Sequence, residues 1–323
     1  MPPALDHPSM LWPGLDAMNR LLDHCRFEMV ALREGGLRGV LGSRLRANAS
    51  LCSFVFDFPC HGRFLVPAGY YLFCQVHQTH AESWCSGMPL RSGAALVVLP
   101  GSACELMLNA HSSVSVLLAP LHESARRAIE RNTPSIDLAG RKFSIFDPDS
   151  LAGTALQFRF ESAFHALIST RRRDDSGIDK VLDALLDPHL LDDWIVHPHV
   201  PLSYSGGYHV HYRSFRRAVE FMRANLHRDI YLDELSRAAG MSERGLRYAF
   251  AELLGVSPTR YLALLRLHEA SRQLSANGAG RVSVKSVAIN CGWWDLSRFA
   301  ANYRRAFDEH PRDTLMRACL AAS

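Results

Sequence analysis

Alternation of apolar and polar residues marks the first third of the chain as β-structure. Phenylalanine occupies every second position from Phe54 to Phe58, and Val114, Val116 and Leu118 alternate with Ser113 and Ser115. Clusters of glycine, proline, serine and asparagine separate such runs, as is typical of short strands joined by tight turns. The pattern predicts an antiparallel barrel or sandwich between Gly36 and Pro120.

Helical spacing of apolar residues replaces this alternation after His122. It predicts helices within Ala152–Thr170 and Ile178–Leu191, separated by a charged break at Arg171–Gly177, and an earlier short amphipathic helix at Leu15–Cys25. Two roles for these helices fit the pattern, because they can either dimerise or pack on the barrel.

The stretch from His197 to His211 has no hydrophobic period and contains the pair Gly206 and Gly207. Such a segment is typical of an interdomain linker. The chain is therefore expected to form an α+β protein of two domains. A β-rich domain with flanking helices occupies residues 1–196, the linker residues 197–211, and an all-α domain residues 212–323.

The last third contains an internal repeat with the pattern of a helix-turn-helix unit. In the first copy a short helix ends at Gly240, Ser242 follows as an N-cap, and a second helix continues through Phe250. In the second copy the turn lies at Gly292, 52 positions after Gly240, and the next helix continues through Phe307. Because glycine permits the sharp turn before a helix presented to the major groove, the repeat predicts two DNA-reading units.

A predicted helix connects the two units. Ser257 caps it, Pro258 opens it, and its apolar positions continue to about Ser275. Eighteen helical residues at ~1.5 Å each give a rod of roughly 27 Å. That length suits two reading helices in successive major grooves, which lie about 34 Å apart.

Composition adds a charge asymmetry to this picture. The 323 residues include 36 Lys+Arg and 32 Asp+Glu, and 48% are hydrophobic, which is typical of a folded globular protein. Residues 209–323 hold 18 basic and 11 acidic residues, a balance of +7, whereas residues 1–208 hold 18 and 21, a balance of −3. All the cations of the basic part except Lys285 are arginines, which suit phosphate and guanine. Nucleic-acid binding is one interpretation, and a solvated charged surface is the other.

Targeting signals and cysteine usage point to the cytoplasm. No apolar run approaches the ~18 residues of a membrane helix, and residues 1–13 lack the basic and then apolar pattern of a secretory signal. The eight cysteines form no CxxC pair, so reduced and buried thiols are expected.

The motifs of the last third resemble the DNA-binding domain of the AraC/XylS family of bacterial transcription regulators. The resemblance extends from about Tyr212 to Leu320 and includes Leu-Asp-Glu-Leu-Ser-Arg-Ala-Ala-Gly-Met-Ser (232–242), Leu-Gly-Val-Ser-Pro-Thr-Arg-Tyr-Leu (254–262) and Cys-Gly-Trp-Trp (291–294). The segment 292–303 is most similar to the branch of ethanolamine-utilisation regulators. The resemblance implies a sequence-specific, dimeric transcription activator whose partners are double-stranded promoter DNA and RNA polymerase.

The resemblance also implies which side chains meet DNA. In this family the first half of each second helix contacts base edges. The corresponding positions are Arg244, Arg247 and Tyr248 in the first unit and Leu296, Ser297 and Ala301 in the second. Because Ala301 stands where a basic or polar residue is more usual, Arg298, Arg304 and Arg305 are expected mainly to hold phosphates.

Three further positions of this domain allow two interpretations each. Gly245 inside the first reading helix indicates either close backbone approach or an untuned surface position. Trp294 either packs in the turn or is exposed for a partner. Five aromatic and aliphatic residues are expected in the core: Leu246, Phe250, Trp293, Phe299 and Phe307.

The family resemblance implies a cupin-like β-barrel at the N-terminus that senses a ligand or mediates dimerisation. Aromatic residues crowd the predicted barrel, and small barrels with apolar interiors can enclose one small ligand. The candidate ligand-binding residues are Phe54, Phe56, Tyr71, Phe73 and Trp84. The alternative is that these rings form ordinary core. The effector is accordingly either an unknown small molecule or a protein partner.

A cupin-type metal enzyme fused to a basic helical domain is the alternative function. His77, His80, Glu82 and His61 are the residue types of such a site. The spacing disfavours it, because His77 and His80 would point to opposite faces of one strand. We therefore expect no enzyme activity, no metal and no cofactor. A redox switch at Cys52, Cys60, Cys74 or Cys85 has no flanking basic cluster to activate a thiol.

Overall fold

A computed structural model describes nine stretches of the chain. They are residues 25–46, 48–80, 82–123, 143–146, 148, 154–168, 175–187, 211–276 and 282–322. The helix predicted at Leu15–Cys25 and the linker predicted at 197–211 lie outside these stretches except for Cys25 and His211.

The chain divides into two compact units. The first comprises the described residues within Met1–Glu28, Arg38–Asp57 and Gly62–Gly206. The second comprises those within Met29–Leu37, Phe58–His61 and Gly207–Ser323, so two short segments from early in the sequence belong to the same unit as the helix-turn-helix repeat.

The described part of the N-terminal region is rich in short strands. They are β1 (Arg26–Ala31), β2 (Gly39–Arg46), β3 (Ala49–Phe56), β4 (Cys60–Leu65), β5 (Tyr70–Gln78), β6 (Trp84–Cys85), β7 (Met88–Pro89), β8 (Ala95–Val98), β9 (Ala103–Leu108), β10 (Ser112–Pro120) and β11 (Phe143–Phe146).

These strands form two sheets. One has the order β1-β4-β9-β6-β7 and the other the order β11-β8-β5-β10-β3-β2. In the second sheet β10 pairs antiparallel with both β3 and β5, and Val114 lies opposite Phe54 and Val76. The two-part α+β architecture is thus confirmed. The cupin-like barrel is not confirmed, because neither sheet closes on itself among the described strands and each keeps two edges.

Two helices accompany the six-stranded sheet: α1 (Ala155–Ile168) and α2 (Asp175–Leu185). Phe160 of α1 stacks on Phe73 of β5 with ring centroids 4.9 Å apart, within a buried cluster that extends to α2. Arg44 of β2 donates two 2.8 Å hydrogen bonds to Asp179 of α2. Of the two arrangements that the sequence allows, packing on the sheet is therefore observed for both helices.

The start of α2 differs from the prediction. The charged break was expected to extend from Arg171 to Gly177, whereas the helix already begins at Asp175. Aspartate and serine are favourable at helix starts, so charged and polar residues there need not interrupt helical structure. The predicted continuation beyond residue 187 lies outside the described residues.

The described part of the second unit contains seven further helices. They are α3 (Tyr212–Ala224), α4 (Leu232–Ala239), α5 (Glu243–Leu254), α6 (Pro258–Ser275), α7 (Val284–Asn290), α8 (Leu296–Phe307) and α9 (Pro311–Ala322). The predicted connecting helix is α6, and the Ser257 hydroxyl accepts the Arg260 N–H at 3.2 Å as its N-cap.

Candidate DNA-binding surface

The first helix-turn-helix unit consists of α4, the turn at Gly240 and α5. Gly240 has φ +68°, a conformation that glycine adopts without the strain imposed by a Cβ atom. The Ser242 hydroxyl accepts the backbone N–H of Gly245 at 3.2 Å and so caps α5. The predicted turn and cap are both present.

Acidic residues stabilise the start of α4. The Glu234 carboxylate accepts the Tyr231 N–H at 3.0 Å and pairs with Arg228, also at 3.0 Å. The Tyr231 N–H and then Arg228 hold the pKa of Glu234 below its usual range. The supporting helix of the first unit therefore begins at a defined residue with an ionised carboxylate at the positive end of its dipole.

Three predicted DNA-contacting side chains are exposed on α5: Arg244, Arg247 and Tyr248. Arg247 pairs with Glu243 one turn earlier, at 3.1 Å, and Tyr248 is 62% exposed, with its ring edge-on to His211. An exposed ion pair of this kind contributes at most about 1 kcal/mol. Arg247 can therefore exchange its carboxylate partner for DNA at small cost.

The second helix-turn-helix unit has the same order of helix, turn and capped helix, but its turn glycine has less free space around it. Gly292 has φ +74°, and a Cβ built there would lie 2.4 Å from the Leu226 carbonyl oxygen and 2.8 Å from the Arg266 guanidinium. Because the clash involves backbone, no larger residue fits without a shift. The Asp295 carboxylate then accepts the Arg298 N–H at 2.9 Å and caps α8.

The sides of α8 differ sharply in exposure. Phe299, Tyr303 and Ala306 are buried, in a cluster with residues of α6 and α7. The predicted base-contacting residues Leu296, Ser297 and Ala301 and the predicted phosphate-contacting residues Arg298, Arg304 and Arg305 are all exposed. The structure therefore places all six on the solvent side of one helix.

Arg305 has neighbours that the sequence did not indicate. Its guanidinium donates to the Asn302 side chain at 3.2 Å and lies 3.8 Å from the Glu34 carboxylate. Glu34 also pairs with Arg260 of α6 at 2.8 Å, and it belongs to the same compact unit. A phosphate contact by Arg305 would compete with this acidic neighbour.

Arg266 of α6 contacts residues next to both helix-turn-helix units, and no sequence motif predicted a role for it. It donates to the Arg228 carbonyl at 2.5 Å and contacts the turn at Gly292. Burial lowers the pKa of Arg266 from its ordinary value, although an arginine stays charged at neutral pH. The Asp295 cap was also missed, although an aspartate directly before an apolar-periodic run is a recognisable start signal.

The expected core residues of this domain divide into two groups. Leu246, Phe250 and Phe299 are buried, whereas Trp293 and Phe307 are half-buried at the edge of the core. Trp294 is 62% exposed, so of its two interpretations the exposed one is observed. At Gly245 the nearest neighbour of an added Cβ is the Ser242 hydroxyl at 3.4 Å, which leaves room for a methyl group.

The five candidate ligand residues of the N-terminal unit are buried but do not share a face. Tyr71 and Phe73 belong to the cluster that packs against α1 and α2. Leu51 of β3 lies in that cluster too, so the pleat directs Phe54 and Phe56 to the opposite face of the sheet. Trp84 lies in the other sheet. Core packing therefore accounts for Tyr71 and Phe73.

The histidines considered for a metal site make other contacts. His77 Nε2 lies 2.8 Å from the Ser115 hydroxyl, and His61 Nδ1 lies 2.7 Å from the Tyr261 hydroxyl. Burial, with a contribution from His165, lowers the pKa of His77 to about 4. Within the described stretches, no cluster of three or more His, Cys, Asp or Glu side chains is arranged to hold a metal ion.

The eight cysteines, all of which lie in the described stretches, form no disulfide, and seven of them are buried. The sulfur atoms of Cys85 and Cys104 lie 3.2 Å apart, and burial raises the pKa of the Cys85 thiol well above its ordinary value. A thiol held in its protonated form is a poor nucleophile.

None of the helices described here is both long and apolar enough to cross a membrane.

Comparisons with known proteins agree with this geometry. A family model described as a helix-turn-helix domain matches residues 235–317. The XylDLEGF operon transcriptional activator of Pseudomonas putida is 40% identical over 102 residues, which cover 32% of this chain and 32% of that protein. The HTH-type transcriptional regulator GbdR of Pseudomonas aeruginosa is 35% identical over 117 residues, which cover 36% of this chain and 30% of GbdR.

A solved structure of a probable AraC family transcriptional regulator from Rhodopseudomonas palustris is 37% identical. The alignment covers 32% of this chain and 96% of that one, with a TM-score of 0.31. The chain thus spans about a third of the length of the curated relatives that it matches.

Proposed function

We propose that the chain is a transcription regulator of the AraC family, which its last third resembles, and that it binds promoter DNA through both helix-turn-helix units and activates transcription. The observation that carries the proposal is the geometry that the two helix-turn-helix units share. Each reading helix, α5 and α8, is N-capped, packed on one side and exposed on the other.

The connecting helix supports simultaneous use of both units. Pro258–Ser275 has 18 residues and is therefore about 27 Å long. This separation suits two adjacent major grooves of one duplex. The hydrogen bond from Arg266 of the connecting helix to the Arg228 carbonyl, just before the first helix-turn-helix unit, supports a fixed orientation of the connecting helix relative to that unit.

The roles of the exposed side chains follow from their chemistry. Arg244, Arg247 and Tyr248 contact base edges from α5, because arginine forms bidentate hydrogen bonds with guanine. Arg298, Arg304 and Arg305 hold phosphates, since a guanidinium binds a phosphate oxygen regardless of base sequence. Leu296 and Ser297 face the groove from α8.

Regulation by the N-terminal unit is part of the proposal. A small molecule or protein partner acts there, with Phe54, Phe56 and Trp84 as the candidate contacts that helix packing does not already explain. The effector shifts activity only as far as it binds one state more tightly than the other. The protein acts as a homodimer in the cytoplasm. It contacts RNA polymerase, and the only support for this contact is that a relative is named a transcriptional activator. The similarity to the ethanolamine branch remains a prediction.

Binding of the full chain to fluorescent duplexes from 50 to 200 mM salt tests the DNA-binding function. If Arg298, Arg304, Arg305 and about two further basic residues of the domain neutralise phosphates, the logarithm of the affinity falls with log[salt] at a slope of about −4.5. A slope near zero, or no binding to any duplex, contradicts the proposal. The triple variant Arg298→Ala, Arg304→Ala, Arg305→Ala is expected to reduce the slope by about 3.

A further inference from the structure

The centre of the exposed side of α8, at Ser297 and Ala301, lacks the groups that recognise purine edges. Ser297 and Ala301 lie one helical turn apart, and both are exposed on the side opposite Phe299 and Tyr303. Bidentate recognition of guanine or adenine needs arginine, lysine, asparagine or glutamine. Neither serine nor alanine provides that pair of hydrogen-bonding groups.

The flanks of this serine-alanine row differ in chemistry. Leu296 and Ala300, also one turn apart, form an apolar flank that ends at the exposed Arg304 in the next turn, and Leu296 is 38% exposed. Arg298 and Arg305, two turns apart, form a cationic flank on the other side, and both are exposed. The first two turns of the helix therefore present an apolar edge at Leu296 and Ala300, small side chains at the centre and a cation, Arg298, on the other edge.

The apolar flank extends beyond the helix. Trp294 precedes the N-cap and is 62% exposed. The 2.9 Å hydrogen bond from the Arg298 N–H to the Asp295 carboxylate fixes the first turn of α8, so Leu296 has a defined position. Apolar groups of this size left in water are favourably removed from it on binding.

The major groove offers one apolar group on its floor, the C5-methyl of thymine. Alanine and larger apolar side chains contact this methyl group, and cations beside them reach the phosphates. The pairing of apolar and cationic flanks on α8 matches that arrangement. The cationic flank also makes a duplex a better occupant of this surface than a neutral protein groove.

We propose that α8 selects thymine in the operator through methyl contacts made by Leu296, Ala300 and Ala301, while Arg298 and Arg305 hold the adjacent phosphates. The inference rests on the proposed function, because it requires α8 to lie in the major groove. It assigns thymine-rich sequence to the second subsite, whereas Arg244 and Arg247 of α5 select guanine at the first.

Deoxyuridine substitution tests this directly, because uracil keeps the pairing groups of thymine and lacks only the methyl. The full chain first selects duplexes from a random-sequence library. Selection with Arg247→Ala then identifies the first subsite as the block whose sequence preference weakens. Replacing each thymine of the second block by deoxyuridine is expected to weaken binding about three- to fivefold per methyl contacted. The same replacement in the first block is expected to change affinity by less than about twofold.

A pair of variants assigns the contact to α8. Leu296→Ala is expected to lose the preference for thymine over uracil at the base pair that Leu296 contacts in the second block, while the preference at the pairs contacted by Ala300 and Ala301 remains. Met316→Ala provides the matched control, since Met316 is 58% exposed on α9, and it is expected to keep that preference. The uracil series on the unaltered protein stands independently of whether either variant folds.

The possible results distinguish failure of the thymine proposal from failure of the proposed DNA-binding function. Equal affinity for thymine and uracil duplexes, or selection of G·C pairs in the second block, overturns the thymine proposal while duplex binding and the proposed function survive. Absence of salt-sensitive binding to any duplex overturns the proposed function itself. Unchanged discrimination in Leu296→Ala removes the assigned contact.

Discussion

The two helix-turn-helix units share a backbone plan but differ in the chemistry that they expose. Both have a left-handed turn glycine and an N-capped second helix. The first helix-turn-helix unit exposes Arg244 and Arg247 on its reading helix, whereas the second has Ser297 and Ala300 at the same distances from its N-cap. Fold and recognition chemistry are therefore separable within one domain, because caps and turn residues set the backbone and exposed side chains set the readout.

The largest difference is expected at the turn glycines. Gly292→Ala places a methyl group against the Leu226 carbonyl, whereas at Gly240 the nearest atom is the tip of Arg217, 3.4 Å away. Gly240→Ala is expected to lower the free energy of unfolding by about 1–2 kcal/mol, from backbone strain alone. Gly292→Ala is expected to lower it by at least about 3 kcal/mol. Urea unfolding of both variants checks this, and equal losses would contradict the crowding argument.

Low pH is expected to lower the stability of the compact unit that contains the helix-turn-helix repeat. Burial lowers the pKa of His268 to about 4, and its ring packs edge-on to Phe307. Its neutral Nε2 accepts the Ala31 N–H at 3.0 Å. Between pH 4 and 6.5 the unfolded state binds more protons than the folded state, so stability is full above about pH 6.5 and falls as the pH drops toward 4.

The size of this acid effect is up to about 3 kcal/mol. Urea unfolding at several pH values measures it, with His268→Gln as the comparison. The variant keeps every other titrating group, including His77, so the difference between the two pH profiles isolates His268. Parallel profiles would show that His268 does not titrate as its burial indicates.

Two arginine variants sharpen the division between base and phosphate contacts. Arg247→Ala is expected to weaken binding to the selected sequence by about 1–3 kcal/mol and to relax preference at one base pair. Arg304→Ala is expected to weaken binding to all sequences alike and to reduce the salt slope by about 1. Competition assays with selected and scrambled duplexes distinguish the two patterns. Sequence-independent loss in Arg247→Ala would move that residue to the phosphate class.

The smallest effect is expected at Gly245. A methyl group there meets the Ser242 hydroxyl at 3.4 Å, which is ordinary contact, and alanine favours a helix by up to about 1 kcal/mol over glycine. Gly245→Ala is therefore expected to raise thermal stability slightly. If DNA affinity falls while stability rises, the glycine serves close backbone approach to DNA. Unchanged affinity identifies an untuned surface position.

Short-range sequence signals explain why the helices of the C-terminal domain were predictable. Ser257 and Pro258 define the start of α6, and Gly240 and Ser242 define the turn and start of the first reading helix. Each of these signals acts within four residues of the chain, through a hydrogen bond or a backbone angle. The exposure of the predicted DNA contacts followed from the same helical period.

Short-range signals of this kind did not determine how the sheets and helices of the N-terminal unit pack. Strand alternation identified buried residues on both faces of β5 and β3, but it cannot say which face a helix covers. Packing of Phe160 on Phe73 decides that, and thereby separates Tyr71 and Phe73 from Phe54 and Phe56. Closure into a barrel likewise depends on which distant edges pair, and the described sheets remain open.

By itself, the sequence determined the turns of the helix-turn-helix repeat, the start of α6 and the chemistry of each reading helix, because these depend on neighbours along the chain. Only the tertiary structure decided that Gly292 approaches the Leu226 carbonyl, that Arg266 joins the two units, and that residues 29–37 belong with the DNA-binding helices. These features join positions far apart in the sequence. Such contacts depend on how complete elements pack, and no local pattern encodes that packing.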